Sequence, residues 1–169
     1  AAACKEAIGE DLSFVLTVAN DSQTTATGQL IQEMAKEFGV EVELKPVPQS
    51  ELIDLAIAGD FEAVSFRLYP GGEPDDNYIF WTNGSPVNFG RIQDDTLTGL
   101  MEQGRVSSDE AERTQIYEDV NRRFASEAYN IWQWWTTWDI GTAPNVYGVL
   151  GPDLPDGGGK PFQGLAGGH

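Results

Sequence analysis

Apolar and polar positions along the chain fall into two rhythms. Leu12 to Ala19 (LSFVLTVA) is a β-branched, apolar run of strand length, closed by Asn20-Asp21-Ser22, residues suited to capping a helix. Ala26, Leu30, Ile31, Met34 and Phe38 then recur at helical spacing and predict a helix with one apolar face, stopped by Gly39. Val40 to Val47 (VEVELKPV) alternates, valines and Leu44 on one side, glutamates and Lys45 on the other, which predicts a half-buried strand. Pro48 and Ser50 open a second helix carrying Leu52, Ile53, Leu55, Ala56 and Ile57 that stops at Gly59, and Phe61 to Leu68 (FEAVSFRL) predicts a third strand. The order β-α-β-α-β, with short connections, predicts an α/β fold with a mostly parallel sheet and flanking helices.

The rhythm then changes. Tyr69 to Asn77 (YPGGEPDDN) reads as a long loop, Tyr78 to Trp81 as a helical turn, and Thr82 to Arg91 as loop again. Two helices follow. Leu97, Leu100 and Met101 line the first. Ser107-Ser108-Asp109 caps the second, whose apolar stripe is Ile116, Tyr117, Val120 and Phe124, while Arg113, Arg122 and Arg123 against Glu112, Glu118 and Asp119 read as its solvated face. Tyr129 to Trp138 (YNIWQWWTTW) predicts a strand holding four of the five tryptophans. Gly141 to His169 is rich in Gly and Pro and has no periodicity. The expected division is therefore a lobe over residues 1–140 and a tail over 141–169.

Charge narrows the function. Twenty-seven acids against ten bases give a net charge of −17, spread along the chain, which argues against nucleic acid and against docking on anionic lipid. No run approaches the roughly 18 apolar residues of a membrane span, so no membrane insertion is expected. Cys4 is the only cysteine, so no internal disulfide forms, and with only Ala1-Ala2-Ala3 before it, it reads as a plain thiol rather than a lipid attachment point. The single histidine is the last residue, and no nucleophile elbow, phosphate loop or dinucleotide fingerprint is present. Asp75-Asp76 and Asp94-Asp95 read as solvated loop acids or helix caps rather than cation ligands. Neither an enzyme, a metal site nor a cofactor is expected.

In an open α/β sheet ligands bind beyond the carboxyl ends of the strands. Those ends are Asn20 to Thr25, Val47 to Ser50 and Arg67 to Asn77. The third offers Arg67 and Tyr69, then glycines that let backbone approach a ligand; Arg67 reads equally as the ion-pair partner of a nearby acid, and Tyr69 as a packed loop anchor. In a strand, Trp132, Trp134 and Trp138 would share one face. Aromatic surface on that scale marks a binding cleft or an interface unless a helix covers it.

The segments, in their order, resemble the second lobe of the family 5 extracellular solute-binding proteins of ABC importers. The matching stretches are FGVEVELKPV, ELIDLAIAGDFEAVSF, the loop GGEPDDNYIFW, the turn Asn88-Phe89-Gly90, then DEAERTQIYEDVNRRFASEAYNIWQWW and NVYGV, together covering about Leu12 to Gly151. The resemblance implies a periplasmic-binding-protein-like (type II) lobe, one half of a clamp that closes on a solute, the tail crossing back to the other lobe. It implies an extracytoplasmic address, lipid anchoring in the full-length protein, and a permease partner. Peptide binders of the family hold the ligand's amino terminus with an Asp just after the third strand; aligned on Glu73-Pro74-Asp75, that position is Pro70, so the amine anchor is absent and relatives that take sugars, metal chelates or opines come into view. The Trp-rich segment leans toward stacking on a flat face. The expected ligand contacts are Phe66, Arg67, Tyr69, Pro70, Gly71, Asn88, Phe89, Trp132, Trp134 and Trp138. The alternatives are a protein-interaction module docking through the tryptophan face, and an α/β enzyme domain whose active site lies elsewhere.

Overall fold

The computed structural model describes residues 2–9, 11–68, 73–133, 141–146, 150–153 and 159–161. The chain forms two compact units, Ala1–Tyr69 with Gly84–Arg91, and Pro70–Asn83 with Ile92–His169.

The first unit is built on a three-stranded parallel sheet. Its elements are α1 (Ala2–Ile8), β1 (Ser13–Ala19), α2 (Ser22–Glu37), β2 (Glu41–Val47), α3 (Gln49–Ala58) and β3 (Ala63–Val64), with strand order β2-β1-β3. The α/β class read from the periodicity is the class observed. β1 pairs with β2 along its whole length, from Ser13 opposite Glu41 to Ala19 opposite Val47. Pro46 is tolerated because β2 lies at the sheet edge, where one backbone donor can be spared. Side-chain alternation gives the sheet two apolar faces. Leu16, Val18 and Val42 pack with Ile31 and Ala35 of α2, while Ala19 and Val47 pack with Leu52 and Leu55 of α3. α1, an alanine-rich turn ended by Gly9 at φ +80°, is a helix that the sequence pattern left unassigned.

Two expectations are corrected here. The apolar face foreseen for α2 meets the sheet only in part: Ile31 packs on it, but Leu30, Met34 and Phe38 are each more than half exposed, and the buried positions are Thr24 and Gly28. Small residues win because α2 lies very close to the sheet; a Cβ on Gly28 would stand 2.5 Å from a methyl of Leu44. The third strand is two residues long rather than eight. Glu62 accepts the Val15 N–H with its side chain at 2.7 Å, in place of a backbone partner, and the ladder then runs only through Leu16–Ala63 and Thr17–Val64 to the Ser65 N–H on Thr17 O.

The second unit holds a 3-10 turn (Pro74–Asn77), α4 (Tyr78–Trp81), α5 (Asp95–Val106), α6 (Glu110–Glu127) and the antiparallel pair β4 (Leu150–Asp153) and β5 (Gly159–Pro161). Its core is Ile92, Leu97, Met101, Val120 and Phe124, flanked by Tyr78, Trp81, Leu100, Tyr117 and Tyr129. Asp94 caps α5 and Asp109 caps α6, each accepting a backbone N–H three residues on. The outer face of α6 is less solvated than its charges suggested. Arg113 donates to the Gly104 carbonyl and to the Glu73 carboxylate, and Arg123 donates to buried Asp94; Arg122, paired with Asp119, remains on the surface. Residues 129–133 form no strand, and the segment read as a structureless tail contributes β4 and β5. Among the described residues no helix is long and apolar enough to cross a membrane.

Candidate functional site

The carboxyl edge of the parallel sheet is where β1 parts from β3. At the end of β1 the Asn20 N–H still donates to Val47 O, so the chain stays with β2. On the other side the backbone ladder has stopped at Ser65, and a side chain takes over the connection. Arg67 Nη2 donates to the Thr24 hydroxyl at 2.6 Å and lies 3.2 Å from the Asp21 carboxylate. Asp21 is extended at the start of α2 and accepts the Thr24 N–H at 2.9 Å and the Thr24 hydroxyl at 2.6 Å. The Thr24 hydroxyl and its backbone N–H hold the Asp21 carboxyl below its ordinary range, outweighing the opposing effect of burial, and the Arg67 charge adds a smaller push in the same direction. α2 leaves β1 on one face and α3 covers the other, so this crevice is the topological switch point of the sheet. Both charged side chains are about half exposed, a degree of solvation at which an ion pair contributes about 0–1 kcal/mol and exchanges partners readily.

Aromatic groups stand beside it. Phe66 packs on the Ala19–Val47–Leu52 cluster and meets Phe89 edge-on, ring centres 5.1 Å apart at 62°. Phe89 is carried by a tight loop in which its N–H donates to Val87 O and the Arg91 N–H donates to Asn88 O. Asn88, in the same loop, is 2% exposed. Carboxylate, hydroxyl and guanidinium thus stand within hydrogen-bond reach of one another, and the residue before Arg67, Phe66, carries the ring pair with Phe89. Such a set can hold a small polar molecule and cover its apolar side.

A separate aromatic surface lies in the second unit. Trp81 meets Phe124 at 5.0 Å, and Trp132 meets Trp81 at 6.0 Å and Phe124 at 6.2 Å. Trp132 nonetheless stays 67% exposed, beside an exposed Ile131. This segment is anchored by Tyr129, whose hydroxyl donates to Asp94 at 2.9 Å.

Of the expected contacts, Phe66, Arg67 and Phe89 come together in the first unit and Trp132 lies in the second. Tyr69, Pro70, Gly71, Trp134 and Trp138 lie outside the described residues. Asp21 and Thr24 fall in the strand end Asn20 to Thr25 that the sequence marked, but neither was singled out as an expected contact. No group of metal-binding side chains occurs among the described residues.

No protein-family model and no curated protein matches this sequence. Solved structures do. An ABC transporter substrate-binding protein of Listeria monocytogenes, CtaP, superposes with a TM-score of 0.68 at 26% identity, over 75% of this chain and 27% of its own. The oligopeptide-binding protein AppA of Bacillus subtilis, in complex with a nonapeptide, gives 0.61 at 21% identity, over 72% and 25%. A nickel ABC transporter protein of Bacillus halodurans gives 0.60 at 22% identity, over 72% and 26%. The chain carries the fold of the ABC transporter substrate-binding proteins, and it spans about a quarter of the length of these three neighbours. The resemblance to the family 5 solute-binding proteins, present here as part of one lobe, therefore holds in structure as it did in sequence.

Proposed function

We propose that this chain is part of the second lobe of a solute-binding protein that captures a small molecule outside the cytoplasm and delivers it to an ABC importer, without chemistry of its own. The observation that carries this reading is the Asp21–Thr24–Arg67 cluster, with Phe66 and Phe89 beside it, at the switch point of a sheet whose neighbours are substrate-binding proteins. Residues 1–140 supply the lobe and 141–169 the crossing toward its mate. Tyr69, Pro70, Gly71, Asn88, Trp132, Trp134 and Trp138 complete the set of residues assigned to ligand contact. Ligand favours the closed clamp by touching both lobes, so one lobe alone binds weakly. The solute class is open between peptide, metal chelate and sugar. The full-length protein carries the lipid anchor and meets the permease.

The test is calorimetric titration of the full-length protein with trialanine, the nickel–histidine complex and maltotriose, in the native form and with Arg67→Ala and Phe66→Ala. One probe binds, and each substitution weakens it. Unchanged tight binding in the double variant overturns the site, and binding of none of the three removes these solutes. A second reading is favoured by the exposure of Ile131 and Trp132: that surface docks a protein. A stable homodimer in gel filtration, lost in Trp132→Ala, supports it.

A further inference from the structure

Phe89 reaches Phe66 from a loop, and something must hold that loop. Arg91 does so in three ways. Its backbone is left-handed, φ 52°, a conformation that costs a branched-off side chain about 1 kcal/mol and turns the chain sharply after Asn88 and Phe89. Its Nη2 donates to the Ile57 carbonyl at 2.6 Å, one of the last carbonyls of α3, where a cation also meets the negative end of the helix dipole. It passes over Gly59, the left-handed C-cap of α3 at φ 73°, where a Cβ would stand 2.9 Å from the same nitrogen.

We infer that Arg91 is a positioning residue: it clamps the loop 84–91 to the carboxyl end of α3 and so fixes Phe89 against Phe66 as a preformed aromatic wall. The link from that wall to ligand rests on the proposed solute-binding function; the clamp itself does not.

Arg91→Gly and Arg91→Asn both suit a left-handed backbone, and neither can reach Ile57. Each folds with an unchanged or raised melting temperature, yet the nuclear Overhauser cross-peak between the Phe66 and Phe89 rings, present in the native chain, is lost. An undiminished cross-peak in both variants overturns the clamp, and so does its absence from the native chain. A fall in melting temperature in both, with the cross-peak retained, marks Arg91 as merely stabilising and also overturns it. Titration of the same variants in the full-length protein with trialanine, the nickel–histidine complex and maltotriose separates the two claims. Loss of cross-peak with unchanged affinity leaves the clamp standing and removes Phe89 from the binding site; loss of both supports both.

Discussion

Asp94 is the acid on which the second unit turns, and replacing it has a calculable cost. Its carboxylate is 4% exposed and accepts from the Leu97 N–H at 3.1 Å, Arg123 Nε at 2.7 Å and the Tyr129 hydroxyl at 2.9 Å. Asp94→Ala removes the cap of α5, about 1 kcal/mol, and the charge-assisted bonds of a buried carboxylate, about 2 kcal/mol. The sum, about 3 kcal/mol, corresponds to a fall of roughly 6–12 °C in melting temperature for a chain of this size. Asp94→Asn keeps an acceptor for Leu97 but turns an amide donor or a neutral oxygen toward Arg123 and Tyr129, so about half of the loss remains. The sign of the pH effect follows from the same contacts. Burial pushes the Asp94 carboxyl up, but the Arg123, Leu97 and Tyr129 hydrogen bonds together hold it below its ordinary 3.8. A carboxyl depressed by folding contributes its full stabilisation above the unfolded value and loses it as pH falls through the lower folded value. Thermal melts of the native, Asp94→Ala and Asp94→Asn proteins should therefore show the native–Asn gap complete at neutral pH and closing below about pH 4. A gap that persists unchanged into the acid range, or an Ala variant within about 0.5 kcal/mol of native, would refute the reasoning.

Two further substitutions test the packing. A Cβ on Gly104 would stand 2.7 Å from Tyr117 Cζ, so Gly104→Ala lowers the melting temperature although it gains about 1 kcal/mol of helix propensity; in a Tyr117→Ala background the same change becomes stabilising, and a constant sign in both backgrounds excludes the contact. At Gly28 the nearest obstacle is the far end of Leu44, so Gly28→Ala costs little, while Gly28→Val, which also meets Val18, costs about 2 kcal/mol or more in denaturant unfolding; equal effects from the two would show that α2 can lift off the sheet freely.

The parallel sheet was legible because β1, β2, α2 and α3 each carry a complete local signal: apolar strand, alternation, cap residue, terminal glycine. What was not legible depended on partners distant in sequence. The face of α2 was misread because hydrophobicity marks what can be buried, whereas the distance of closest approach decides what is, and there Gly28 outranks Leu30 and Met34. Arg113 and Arg123 looked like one end of local ion pairs; Arg123 does meet Glu127 four residues on, but the carboxylates that draw the two arginines inward, Glu73 and Asp94, stand 40 and 29 positions away. Asp94-Asp95 was read as loop acids or a cap; it is a cap, and the added burial comes from Tyr129 and Arg123, which no local pattern announces. At the carboxyl edge the rule about strand ends pointed to Arg67 and to the stretch Asn20 to Thr25, but the bonds of Arg67 to Asp21 and Thr24 join positions more than forty apart, which no local pattern announces.

The early end of β3 leaves the carboxyl edge of the sheet beside β1 without a backbone partner from that strand. A ladder that continued to Leu68 would occupy the edge beside β1 with backbone hydrogen bonds. Instead Glu62 takes the Val15 N–H before the ladder begins, and Asn20 is drawn to Val47 after it ends. Between these two points only Leu16 and Thr17 are paired with β3. Beyond them the connection is made by Arg67, which bonds the buried Thr24 hydroxyl and pairs with Asp21, the two charged groups being about half in water. Backbone pairing is cooperative, whereas a half-solvated ion pair rearranges readily, so at the carboxyl edge β1 and the chain after β3 are joined by the weaker of the two connections.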